Sequence, residues 1–121
     1  MDILVTNNPL AASQYRDLVG VEFIESSLVD VLIRVRDHAH RGHALLTHPL
    51  TGGLKPSDTL YKSVLVSGTH SEVDEQSVRL IEDCVLIAQG FPQRHIPEHH
   101  LPDMQTIDLS LIRSAVETRL K

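Results

Sequence analysis

The residues of this chain best suited to chemistry lie in a polar loop between residues 47 and 62. Gly52 and Gly53 let a ligand approach the backbone closely and allow N–H groups to turn toward an anion. The other contributors are Thr51, Lys55 and Lys62, which supply a hydroxyl group and two positive charges. The loop therefore predicts binding of a phosphate or a carboxylate, with an ordinary structured surface loop as the alternative.

His48 is the candidate for acid or base catalysis in the same loop. A histidine side chain exchanges a proton near neutral pH, which suits it to this role. A serine or threonine nucleophile such as Ser67 or Thr51 would also need a base and an orienting carboxylate. The sequence carries no nucleophile elbow and no adjacent carboxylate pair of the glycosidase kind, so whether the protein is an enzyme stays open.

The eight histidines do not follow a metal-binding pattern. Four lie between residues 38 and 48, but His38 and His40 are two apart and point to different faces of a helix. No His-x-x-x-His pair lies in a predicted helix with a carboxylate beside it. We therefore predict no specific metal site, and the sequence identifies no cofactor.

Composition argues against several classes of partner. The net charge of −5 repels nucleic acid and anionic membranes, and an aromatic content of 3% offers few stacking surfaces for bases. Cys84 is the only cysteine and lies in an apolar run, which favours a buried thiol in a reducing compartment. No leader-like or membrane-spanning segment is recognisable, so we expect a cytoplasmic protein.

These chemical groups must be positioned by strands and helices that alternate along the chain. Short apolar runs predict strands at 3–5, 21–24, 44–46, 63–66 and 105–108. Helical spacing predicts helices at 9–18, from Ser26 or Ser27 to Gly42, at 71–90, and after a cap at Asp108. The segment 91–103 is rich in proline and histidine and is expected to be irregular.

Such alternation predicts a single α/β domain over residues 1–121. We expect a small three-layer sandwich with a mainly parallel sheet of four or five strands. Ligands of these sheets collect at the carboxyl ends of the strands. The predicted ligand-binding residues are Thr6, Asn7, Asn8, His48, Thr51, Gly52, Gly53, Lys55, Lys62 and Ser67.

The order of several short motifs resembles the GrdX family. The motifs are Thr6-Asn7-Asn8-Pro9-Leu10, Arg36-Asp37, Gly42-His43, Leu45-Leu46-Thr47-His48-Pro49-Leu50, Gly52, Lys55-Pro56 and Tyr61-Lys62-Ser63. The similarity spans about residues 3–90, and the segment 91–103 departs from it. Members are encoded beside glycine, sarcosine and betaine reductase genes of anaerobic bacteria, so the resemblance implies a cytoplasmic accessory role with reductase components as partners. It supplies no catalytic residues.

Three functions follow from these observations. The first is an accessory protein of the reductase system that binds a small anionic ligand at the strand ends. The second is a small enzyme that acts on a phosphorylated or carboxylated metabolite, with His48 as acid or base. The third is a protein-interaction module or a homo-oligomer in which the polar loop docks a partner.

Overall fold

A computed structural model describes residues 1–50 and 55–120 of the chain. Its regular elements are β1 (Ile3–Thr6), α1 (Pro9–Tyr15), β2 (Gly20–Phe23), α2 (Leu28–His40), β3 (Ser63–Val66), α3 (Glu75–Gln89) and α4 (Leu101–Leu120). A 3-10 turn, Glu98–His100, leads directly into α4. α4 therefore begins inside the segment 91–103, which the sequence predicted to be irregular.

The first three helices begin at side-chain caps. Asn8, Ser27 and Asp74 cap α1, α2 and α3, and each side chain accepts a hydrogen bond from a backbone N–H of the first turn. The caps at Asn8 and Ser27 agree with the sequence prediction. For α3 the predicted start at Ser71 is too early, because Asp74 is the residue that satisfies the first turn.

The sheet corrects the predicted strand number and directions. The described residues form a three-stranded mixed sheet in the order β2-β1-β3, and not a mainly parallel sheet of four or five strands. β1 pairs with β2 in parallel, but β3 runs antiparallel to β1, with Thr6 opposite Ser63 and Ile3 opposite Val66. The prediction was wrong because a short apolar run indicates burial and does not indicate strand direction.

The predicted strand at 44–46 is reduced to one antiparallel bridge between Leu45 and Val66. One reason is local, because the Leu65 N–H donates to the Thr47 hydroxyl oxygen at 3.0 Å and not to a backbone carbonyl. A hydrogen bond to a side chain thus replaces the backbone hydrogen bond that would continue the pairing with β3. The segment contributes a contact beside β3 but no strand.

The predicted strand at 105–108 lies inside α4. Residues Asp108, Leu109, Ile112 and Val116 are buried on one face of this helix. Their spacing is helical, so the apolar periodicity of the last helix extends through the segment that was assigned to a strand. Asp108 is correspondingly a buried mid-helix residue and not the predicted helix cap.

Helices cover both faces of the sheet. Val5 and Val64 face a cluster that includes buried residues of α2 and α3, whereas Leu4 and Leu65 face a cluster that includes those of α1 and α4. This is the alternation expected of extended strands, in which successive side chains point to opposite faces. Among the described residues, no helix is long and apolar enough to cross a membrane.

Gly42 ends α2, as the sequence predicted, and its backbone requires glycine. Its φ of 98° lies in the left-handed region. A Cβ added there would lie 2.1 Å from the carbonyl oxygen of Ser71, which is much closer than two non-bonded heavy atoms can approach each other. The turn therefore brings the end of α2 into close contact with the segment that leads to α3.

Candidate functional site

The antiparallel direction of β3 decides which predicted residues meet. Its amino end lies beside the carboxyl ends of β1 and β2, because Ser63 pairs with Thr6. Lys62, which precedes β3, therefore joins Asn7 and Asn8, which follow β1. Ser67 follows β3 and lies at the opposite edge of the sheet, so it is separated from the other predicted ligand-binding residues.

Four side chains at this edge form a buried polar cluster, made of Thr6, Asn8, Ser63 and Asp108. The Thr6 and Ser63 hydroxyl oxygens are 2.7 Å apart. The Ser63 hydroxyl donates to Asp108 Oδ2 at 2.6 Å, and Asn8 Nδ2 donates to the same oxygen at 2.9 Å. All four residues are buried, so the cluster joins β1, β3 and α4 from within.

Asn7 fastens the neighbouring loops together. Its Nδ2 donates to the carbonyl oxygens of Ser26 and Leu60 at 3.0 and 2.7 Å, and its Oδ1 accepts the Lys62 N–H at 2.8 Å. Both amide hydrogens and the amide oxygen are thus engaged within the protein. Asn7 therefore fixes the backbone of the loops that surround this edge of the sheet.

Lys62 is a buried lysine, with only 7% of its surface exposed. Burial lowers the pKa of its ammonium group from the ordinary value, because an apolar environment disfavours the charged form. The negative charge of Asp108 opposes that effect and raises the pKa. Lys62 and Asp108 both line an inner cavity of about 10 Å³, which is about the space that one water molecule needs.

Of the remaining predicted loop residues, the structure describes His48 and Lys55. His48 Nδ1 accepts the Leu50 N–H at 3.0 Å, so this ring nitrogen shapes the loop. Lys55 is exposed to solvent. Thr51, Gly52 and Gly53 lie outside the described residues.

Next to the buried cluster is a larger open depression, which we call the outer cleft. Its volume is about 450 Å³, and its walls are mostly apolar. It lies at the carboxyl end of β2, and its lining includes Asn7, Phe23, Glu25, Ser26, Tyr61 and Gln93. Tyr61 also lines the inner cavity, so the two spaces lie next to each other.

The histidines are used mainly in contacts between elements. His38 Nε2 lies 3.1 Å from Glu22 Oε2, and His43 Nδ1 lies 2.7 Å from the Ser67 carbonyl oxygen. Within residues 1–50 and 55–120, no group of three or more histidine, cysteine or acidic side chains is arranged to hold a metal ion. Cys84 is buried, and burial raises the pKa of its thiol.

Sequence reasoning missed Asp108, Ser63 and every residue named above for the outer cleft except Asn7. Asp108 carried a signal, because it is a carboxylate at helical spacing from Ile112 on an otherwise apolar face. A charged residue in such a position needs a buried partner. Glu25 and Gln93 lie in connecting segments that are far apart in the sequence. Only the tertiary fold brings both residues to the outer cleft.

The fold and the site define a small α/β protein with a polar cluster buried at one edge of a mixed sheet and an open cleft beside it. The family model described as GrdX-like protein matches residues 3–117, so the chain belongs to the GrdX-like family. The match also covers the segment 91–103, which the motif resemblance had left out. No curated protein and no solved structure matches the chain.

Proposed function

We propose that this protein binds a small molecule in the outer cleft and acts as an accessory protein of an amino-acid reductase system. The observation that carries the binding proposal is the cleft itself, about 450 Å³ in volume with mostly apolar walls. Clefts of this size that combine apolar walls with a few polar groups are typical ligand sites. Their usual place in α/β proteins is the carboxyl end of the strands.

The rim of the cleft is held in place before any ligand arrives. Asn7 ties the Ser26 and Leu60 carbonyl groups to one side chain. Gln93 Nε2 donates to the Thr59 carbonyl oxygen at 3.2 Å and so attaches a fourth segment. A preformed site loses less conformational entropy on binding, which favours recognition of a small ligand.

The proposal is tested by removing an apolar wall. Phe23→Ala should weaken binding of a cleft ligand without unfolding the protein, because Phe23 is 45% exposed. Leu18→Ala is the matched control, since Leu18 is 48% exposed and lies outside the cleft. The measurement is the shift of backbone amide NMR signals of residues 23–27 and 60–61 during titration with benzyl alcohol. Equal affinity in wild type and Phe23→Ala would reject the cleft as the binding site.

Lys55 does not line the outer cleft, so the small anionic ligand predicted from the sequence would be a second ligand, bound beside Lys55. Lys62 is buried beside the charge of Asp108, so the exposed Lys55 is the better-placed cation for such a ligand. Titration with inorganic phosphate tests this part of the proposal. Lys55→Ala should weaken phosphate binding, and unchanged affinity would remove Lys55 from the site.

The accessory role rests on the family. Family members are encoded beside glycine, sarcosine and betaine reductase genes, which implies that this protein serves such a system. Deletion of its gene should slow growth that depends on amino-acid reduction and leave growth on other energy sources unchanged. Equal growth of the deletion strain on both would contradict the proposed role.

Exposed apolar residues on α3 favour a second candidate function, the protein-interaction module. Leu86 is 67% exposed and Ile87 is 49% exposed on this helix. Large exposed apolar side chains that adjoin one another are typical of contact surfaces. Light scattering tests the homo-oligomer form of this candidate, because a monomer at high concentration would reject it.

A further inference from the structure

We propose that the ligand of the outer cleft carries a positively charged amine attached to an apolar body. This inference rests on the proposed function, because it assumes that the cleft binds a small molecule. It adds the chemical class of that molecule. It is drawn from the charges and aromatic rings that line the cleft.

The first argument is charge. Glu25 is an exposed carboxylate in the lining, and no lysine, arginine or histidine lines the cleft in the described part of the chain. Asp30 adds a second carboxylate nearby, because it accepts a hydrogen bond from the Ser26 hydroxyl, and Ser26 is itself a lining residue. The cleft therefore presents negative charge to a ligand.

The second argument is the pair of aromatic rings. Phe23 and Tyr61 both line the cleft, although phenylalanine and tyrosine together contribute only four residues to the whole chain. The face of an aromatic ring attracts ammonium groups and packs well against apolar groups. Two rings beside a carboxylate favour an amine with an apolar body over an anion.

The amino end of α2 is the feature of the cleft that would favour an anion, but its positive charge is already partly compensated by residues of the protein. The Ser27 hydroxyl accepts the Asp30 N–H at 3.1 Å, which pairs one of the N–H groups that have no partner within the helix. The Asp30 carboxylate also lies in the first turn, where its negative charge offsets the positive end of the helix dipole. This helix end therefore adds little attraction for an anionic ligand.

Three probes with the same aromatic ring separate charge from shape. Benzylamine is a cation at neutral pH, benzyl alcohol is neutral, and benzoate is an anion. Each is titrated into the full chain while the amide signals of residues 23–27 and 60–61 are followed by NMR. We expect benzylamine to bind about threefold more tightly than benzyl alcohol, the size of effect that one exposed carboxylate gives, and benzoate to bind most weakly.

Glu25→Gln should reduce the preference for benzylamine over benzyl alcohol, because it removes the carboxylate that lines the cleft. Glu72→Gln is the control, because Glu72 is an exposed glutamate that does not line the cleft. If all three probes bind in the cleft with equal affinity, or benzoate binds best, the amine proposal is wrong while ligand binding stands. If no probe shifts the cleft signals, the proposed function itself fails.

Discussion

Lys62 shows how a residue chosen for one reason can have another role. The sequence marks it as a cation at the end of a polar loop, and in the structure it lies beside the carboxyl end of β1. Its burial could not be foreseen, because it arises from tertiary packing: Lys62 lines the inner cavity together with Asp108, which is 46 positions further along the chain and was assigned to a helix cap. Contacts between residues so distant in sequence leave little trace in local pattern.

Burial of Lys62 makes stability depend on pH. Its pKa is lowered in the folded protein from the ordinary 10.5, so the unfolded chain binds more protons in the range just below that value. The free energy of unfolding therefore gains a contribution that rises with pH over this range. Lys62→Met should lack that contribution, whereas Lys55→Met, at an exposed lysine, should retain it.

Denaturant unfolding of the three proteins at pH ~8 and ~10 measures this contribution. The Cys84 thiol titrates in the same range with the opposite sign, because its pKa is raised and the folded state then holds the extra proton. Because the Lys62 charge itself lowers the pKa of the Cys84 thiol, all three proteins are compared with Cys84→Ala in the background, so that the differences between variants report on Lys62. An identical change with pH in wild type and Lys62→Met would show that Lys62 is not buried as described.

At the scale of the elements, capping residues were more predictable than strand directions. Asn8, Ser27 and Gly42 act within one turn of their own position, so the chain around them is sufficient to identify their roles. The direction of β3 is set by which helices and loops return the chain to the sheet. A four-residue buried run reads the same in either direction, which is why the mixed sheet was missed.

The junction between α2 and the segment before α3 gives a sharp test of packing. Gly42→Ala should destabilise the protein by about 1 to 3 kcal/mol, because alanine is strained at positive φ and its Cβ would overlap the Ser71 carbonyl oxygen. Gly90→Ala is the matched control at the end of α3. Its φ is −79°, and the nearest heavy atom to an added Cβ is 3.4 Å away. Thermal unfolding that ranks Gly90→Ala as the more damaging change would contradict this description of the turn.

At the scale of the whole molecule, the α/β class was predictable from alternation of strand and helix patterns. The size of the sheet was not, because the apolar run at 44–46 has the composition of a strand but forms a single bridge, and the helical spacing that includes Asp108 was not recognised. Only part of the candidate site could be predicted from the sequence. The residues that follow β1 were identified, whereas the outer cleft is formed by segments from four parts of the chain.

The two ends of the chain are joined by an ion pair. Arg119 Nε donates to Asp2 Oδ2 at 2.8 Å, and the Arg119 guanidinium holds the pKa of the Asp2 carboxyl below its ordinary value of 3.8. The stability that this pair provides is present above that value and is lost as pH falls through the lower pKa of the folded state. Asp2→Asn should therefore lower the melting temperature at pH ~7, and this loss should shrink as the pH falls toward ~2.

Asp17→Asn is the control for the ion pair between the chain ends. Asp17 pairs with its neighbour Arg16 at 3.9 Å, and both side chains are largely exposed, so its removal should change stability little at either pH. Melting curves by circular dichroism measure both variants. A loss of stability in Asp2→Asn that persists at pH ~2 would assign it to the Gly68 N–H, which also donates to Asp2, and not to the charge pair.

The buried polar cluster also has a consequence for synthesis of the protein on the ribosome. Asn8 emerges early, but its partner Asp108 is translated 100 residues later, on the last helix. Until then the nascent chain contains Asn8, Ser63 and Lys62 but lacks the Asp108 carboxylate with which they interact in the folded protein. A truncated chain that ends before α4 would therefore expose these polar groups. We expect quality-control proteases to degrade it.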